Sequence, residues 1–350
     1  MIVTPLACRM ISGAQKGKAC EASRYGEPYP DKNQNHMKRS LRIVLYTAAV
    51  YAATLAVAHA AGKPTFAIVP KSLSVAFYAD VERGCKEEGA KLGVNVVYTG
   101  PDTADSAKQV QILQDLVSRG VDGIAVAPMD AESVIGVIDA ALKKGIKVIT
   151  FDSDSPKSHR IAFVGTNNYQ AGVEAGKAFA ANQPDGKFAV VTGGLAAANH
   201  NERGAGFRDA LKAAGGKYTE IPGSPFPCND DAAKSIEIIQ DVLTRYPDLN
   251  GFFFSGGWPL FGAPEAYVRA VSGNHRIENL TVVSFDSLPE ELALLKKEYV
   301  DALIGQRPYA MGVKSVDILN DLMQGKKVPA VIDTGVDVIT QQNVAQFIRQ

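Results

Sequence analysis

The sequence predicts an α/β protein made of two doubly wound lobes with parallel sheets. Three observations carry that prediction. Short β-rich runs alternate with longer segments at helical spacing, the alternation restarts after Asn168, and no Ser- or Pro-rich tether separates the two sets. Strand alternating with helix implies βαβ units, whose right-handed crossovers place helices on both faces of a sheet.

In the first set, strands are expected at 66–69, 94–98, 123–127 and 148–151, with a further apolar run at 161–164. Between them, Val110, Leu113 and Val117 fall on one helical stripe. In the second set, strands are expected at 188–192, 218–221, 251–254, 281–285 and 301–304. Helices are expected at 169–181, 202–214, 232–246, 263–271, 290–298 and 309–323. The stretch 147–168, KVITFDSDSPKSHRIAFVGTNN, is both the last strand-end loop of the first set and the passage to the second.

At 350 residues the chain has the length of two domains. Its 46% apolar and 21% charged residues are those of an ordinary globular protein. Basic and acidic residues balance at 37 each, which gives no general electrostatic case for nucleic acid or an anionic surface. Four cysteines, Cys8, Cys20, Cys85 and Cys228, form no close pair, and unpaired thiols are expected.

Residues 1–36 lack any sustained apolar period and are expected to be a disordered or untranslated extension, with Met37 as a second possible start. Residues 37–60 resemble a secretory signal. Lys38, Arg39 and Arg42 precede an apolar run at 43–57, and Ala58-His59-Ala60 supplies small residues at the expected cleavage point, near Ala60 or Ala61. A membrane anchor would need ~20 apolar residues. The expectation is therefore an exported, periplasmic protein.

The motifs of phosphate and dinucleotide sites are missing, as are HExxH and GxSxG; Gly193-Gly194 and Gly256-Gly257 are isolated pairs. His159, His200 and His275 are expected in loops rather than at a metal. No catalytic residue, metal site or cofactor is expected.

In open α/β sheets, ligands sit beyond the carboxyl ends of the strands. The polar and aromatic residues at those ends are Lys71, Phe77, Tyr78, Asp152, Asp154, Asn199, Arg203, Trp258, Asp286 and Gln306. Carboxylates accept hydroxyl protons, an Arg fork donates to two oxygens, and aromatic rings cover apolar C–H faces. This inventory suits an uncharged sugar. Each carboxylate alone also fits a turn or a helix N-cap, and each aromatic ring also fits a core.

The runs ITFDSD, RGAGF, SFDS and GQRPY, in this order and spacing, resemble the ribose-type sugar-binding proteins of bacterial ABC importers, and the likeness extends from about Thr65 to Ile339. The resemblance implies two Rossmann-like lobes of the type 1 periplasmic binding protein, joined by three crossings and closing on one ligand. By position, it assigns Asp152, Arg203, Asp286 and Gln306 to hydroxyl binding and Phe77 with Tyr78 to stacking. Val75, Ala127, Ser153 and Gly256 depart from the ribose pattern. Lys71 and the Asp152-Ser153-Asp154 run look like the relatives that bind autoinducer-2 or other small polyols.

Lobes of 61–166 plus 307–335 and 167–306 plus 336–350 are expected, because strands run out near 165–167, 306–307 and 333–335. The functional expectation is a monomeric binding protein that delivers a small sugar or polyol to a membrane ABC permease. The alternative is an autoinducer-2-like ligand or chemoreceptor-coupled sensing. A repressor of this architecture would carry a helix-turn-helix where residues 37–60 stand, and an enzyme would need a nucleophile or metal cluster.

Overall fold

The run Thr65–Val69 (β1) begins the first sheet, and its alternation decides how the lobe is filled. In the computed structural model, which describes residues 62–273 and 279–348, Phe66 and Ile68 face one layer of helices while Ala67 and Val69 face the other. Both faces are covered, so the strands read as unbroken apolar runs. The helices Phe77–Leu92 (α1), Ser106–Arg119 (α2) and Ile135–Lys143 (α3) link β1 to Asn95–Tyr98 (β2), Gly123–Val126 (β3) and Lys147–Phe151 (β4); Phe163–Gly165 (β5) follows. Asp105 caps α2 through the Lys108 N–H, and left-handed glycines, Gly93 and Gly120, end α1 and α2.

The second sheet is built the same way. Its helices are Asn168–Asn182 (α4), Ala198–Ala214 (α5), Ala232–Arg245 (α6), Trp258–Phe261 (α7), Pro264–Ser272 (α8) and Pro289–Lys296 (α9). Its strands are Gly186–Thr192 (β6), Tyr218–Glu220 (β7), Phe226–Pro227 (β8), Gly251–Phe254 (β9), Thr281–Phe285 (β10) and Ala302–Gly305 (β11). Pro308–Met323 (α10) and Val331–Asp333 (β12) then return to the first sheet, and Asp337–Thr340 (β13) returns to the second.

The strand orders are β12-β5-β4-β3-β1-β2 and β13-β11-β10-β9-β6-β7, with β8 beside β6. Every pairing is parallel except β11 with β13. Each sheet reverses its winding, between β1 and β3 and between β6 and β9. Such switch points open a crevice at the strand ends.

Where structure and expectation part, burial explains the difference. The edge strands β12 and β13 escaped the sequence pattern because Val331 is 57% exposed and neither strand has an unbroken apolar run. Helix α5 starts at Ala198 rather than near 202, since its first turn, Ala-Asn-His-Asn, has no apolar period. Cys85 and Cys228 are free and buried, and burial pushes both thiols well above their usual range. Residues 1–61, with the expected extension and signal segment, lie outside the described residues, as does His275. Among the described residues no helix is long and apolar enough to cross a membrane, and no His, Cys, Asp and Glu cluster could hold a metal.

Candidate functional site

The two crevices face each other across one cavity, to which both sheets contribute strand-end residues. From the first lobe come Lys71 after β1, Phe77 and Tyr78 in the first turn of α1, and Asp152 after β4. From the second come Asn199 and Arg203, one helical turn apart in α5, then Trp258 opening α7 and Asp286 after β10. Gln306, after β11, stands where the chain leaves the second sheet.

Asp152 and Asp286 hold left-handed backbone, with φ of 56° and 76°. That conformation is uncommon for a residue with a side chain, although Asp tolerates it better than most, and it concentrates at functional positions. The turn aims each carboxylate back over its sheet end. Asp152 Oδ2 accepts from the Tyr78 hydroxyl at 2.7 Å, and Oδ1 accepts from Asn199 Nδ2 at 3.5 Å, from the other lobe. Asp286 accepts from Gln306 Nε2 at 2.7 Å and from the Gly257 N–H at 3.1 Å. Burial raises the Asp286 pKa against the pull of Arg203, and burial together with Asp152 holds the Tyr78 hydroxyl well above its usual range. Tyr78 thus remains a proton donor.

Arg203 is 1% exposed and sits at the centre. Its Nε donates to Asn168 Oδ1 at 2.8 Å, Nη1 to the Ser255 carbonyl at 2.8 Å and Nη2 to Gln306 Oε1 at 2.6 Å. The guanidinium lies over the Phe285 ring, 4.1 Å from its centroid, and Nη2 is 3.9 Å from Asp152 Oδ1. Three of its five N–H groups are spent on the protein, and two remain for other acceptors. Gln306 Oε1 also accepts from Thr166 Oγ1 at 3.0 Å, which ties the cavity to a passage between the sheets.

Nine of the ten residues singled out from sequence line this cavity; Asp154 does not. Its carboxylate takes both arms of Arg160, at 2.6 and 2.8 Å, and the Thr150 hydroxyl at 2.6 Å. Two positions further along the turn, it faces its own loop rather than the cleft. Tyr78 also departs from a pure stacking role, because its ring meets Phe77 edge-on at 5.2 Å while its hydroxyl serves Asp152.

Two polar lining residues, His200 and Asp230, and the apolar Phe261 escaped the sequence reading. His200 is not in a loop but buried in the first turn of α5, its ring edge-on to Trp258 at 5.2 Å. Asp230 follows β8 with φ 60°, next to Asn229 at φ 55°. A loop carboxylate gives no periodic signal. The presence of His200 beside Asn199, at the turn that also presents Arg203, was the available hint.

Comparison with known proteins finds relatives along nearly all of the described chain. A family model described as a periplasmic binding protein domain matches residues 66–327. The ribose import binding protein of Salmonella typhimurium is 28% identical over 299 residues, 85% of this chain and 97% of that protein. An ABC transporter solute-binding protein from Burkholderia graminis, solved with D-arabinose, is 35% identical with a TM-score of 0.74, covering 82% of this chain and 98% of its own. A glucose-galactose binding protein from Geobacillus stearothermophilus is 32% identical with a TM-score of 0.75, covering 81% and 99%.

Proposed function

The chain belongs to the periplasmic binding proteins, a family of solute-binding proteins rather than enzymes, and from that membership we propose that it captures one small, uncharged sugar or polyol and hands it to a membrane ABC permease. The observation that carries this reading is the meeting of Asp152 and Asp286, from opposite lobes, with Arg203 on one buried cavity. Each carboxylate has lone pairs beyond its present partners, Arg203 has N–H groups to spare, and Phe77 and Trp258 supply apolar faces. Relatives that bind ribose, D-arabinose, or glucose and galactose support a monosaccharide-sized ligand.

The signal-like segment 37–60 supports export before binding. The three passages between the sheets would serve as hinges for closure. The autoinducer-2-like alternative draws on Lys71 and the Asp152-Ser153-Asp154 run, of which Asp154 is committed to Arg160 outside the cavity.

A thermal-shift screen of the purified protein against pentoses, hexoses, polyols and autoinducer-2 tests the reading. A ligand at 100 times its Kd stabilises a folded state by about 2.7 kcal/mol. A rise in Tm with one or a few sugars is expected. A flat profile for every sugar and polyol would remove the substrate class.

A further inference from the structure

One corner of the cavity holds polar groups whose hydrogen bonds do not close on the protein. Lys71, 2% exposed, donates to Asn199 Oδ1 at 3.0 Å and to His200 Nε2 at 3.4 Å, and no carboxylate lies within ion-pair distance of it among the described residues. Its ammonium keeps a third N–H. His200 is fully committed. Ser255 Oγ donates to Thr192 Oγ1 at 3.0 Å and is itself 3.2 Å from His200 Nδ1, so Nδ1 carries the proton and donates to Ser255, which leaves Nε2 as the acceptor for Lys71.

Asp230 is therefore without a donor. Its Oδ1 is 3.6 Å from His200 Nε2, where a lone pair rather than a proton faces it, and this atom is buried with no hydrogen-bond partner. The side chain is 5% exposed. A buried polar atom left unpaired is costly, and this one borders the cavity. Space for it depends on Gly193 at the end of β6: a Cβ there would stand 2.3 Å from Asp230 Oδ1 and 2.6 Å from His200 Nε2.

We propose that Asp230 is a specificity-determining residue whose Oδ1 accepts a proton from one particular hydroxyl of the bound sugar, with Lys71 and His200 positioning that corner. This inference rests on the sugar-binding reading. It goes further in naming an acceptor that only a free hydroxyl at one ring position satisfies. A sugar lacking that hydroxyl, or carrying it at the opposite configuration, leaves the carboxylate unpaired again. Sites that hydrogen-bond a hydroxyl reject the analogue without it far more strongly than apolar pockets reject a methylene.

The test is a ligand–residue cycle by titration calorimetry on the full chain as purified. D-Ribose, D-arabinose, D-allose, D-glucose, D-galactose and their monodeoxy analogues are titrated into wild type, Asp230→Ala and Asp230→Asn. Asparagine tolerates left-handed backbone, so the second variant keeps the cycle readable if the first fails to fold. For the sugar that wild type binds, one monodeoxy analogue should lose about 10- to 150-fold on wild type, the effect of one hydrogen bond to a charged group. The same pair should bind Asp230→Ala with nearly equal affinity, and should differ less on Asp230→Asn than on wild type, because the amide oxygen still accepts but carries no charge.

The proposal is overturned if the variants keep wild-type affinity for the parent sugar, or if every deoxy penalty is the same on variant and wild type. Those outcomes leave the sugar-binding reading standing. Failure of wild type to bind any sugar overturns both.

Discussion

The two lobes place the same short pattern at the same point of their sheets and use it differently. Phe151-Asp152-Ser153 runs out of the end of β4, and Phe285-Asp286-Ser287 runs out of the end of β10. In each, the Asp N–H donates to a carbonyl of the neighbouring strand at 3.0 Å, Val164 in one lobe and Ile304 in the other. The partners of the carboxylates differ. Asp286 is held by Gly257 of its own lobe and by Gln306 at its edge, whereas Asp152 reaches Asn199 and approaches Arg203 across the cleft. The second lobe thus presents a site already organised around Arg203. The first brings a carboxylate and two aromatic rings to it.

The largest effect expected follows from that asymmetry. Arg203→Leu should abolish measurable sugar binding and lower stability by about 3–5 kcal/mol, because it leaves the buried carboxylates Asp152 and Asp286 without their nearby cation and takes a donor from Asn168, Ser255 and Gln306. Chemical denaturation and calorimetry check it; a variant with near-native stability and affinity would remove Arg203 from the centre of the site.

Next come the helix crossings. A Cβ on Gly172 in α4 would stand 2.1 Å from the Arg203 carbonyl oxygen, and one on Gly84 in α1 would stand 2.3 Å from the Tyr309 carbonyl oxygen. Either Gly→Ala change should cost about 1–3 kcal/mol through overpacking. Only Gly172→Ala moves the backbone of Arg203, so it alone should also weaken binding appreciably. Equal losses of affinity in the two variants would erase the distinction between the lobes.

A smaller effect concerns pH. Burial, then the neighbouring Lys71 and Arg203, push the His200 pKa down from 6.5 to about 4, although Asp230 pulls it up. The unfolded chain binds the proton first, so stability should be full above pH 6.5 and decline as pH falls toward 4. Burial alone would raise the Asp230 pKa, but the charges of Lys71 and Arg203 lower it on balance, so its contribution is lost only as pH falls below its ordinary value of 3.8. His200→Gln should flatten the Tm-against-pH curve in this window; an unchanged slope would contradict the assignment of His200 as a buried neutral ring.

Much of this architecture was legible because strands buried on both faces leave unbroken apolar runs, and because Gly251–Phe254 and Thr281–Phe285 end where polar residues begin. Strand ends in turn located Asp152 and Asp286. What was not legible has no period. β12 and β13 are short edges, Asp230 sits in a loop with two consecutive left-handed residues, and Asp154 shares its sequence setting with Asp152. Only the three-dimensional position of Arg160 separates those last two carboxylates in role.

The most direct measurement is calorimetry of Asp152→Gly and Asp286→Gly beside the corresponding Asp→Ala variants, with the sugar that wild type binds. Glycine is the clean truncation, since φ is positive at both positions. Each truncation should weaken binding by about 10- to 150-fold, with alanine matching glycine in affinity but about 1–2 kcal/mol less stable. Full affinity in both glycine variants would contradict the account and place the ligand outside this cavity.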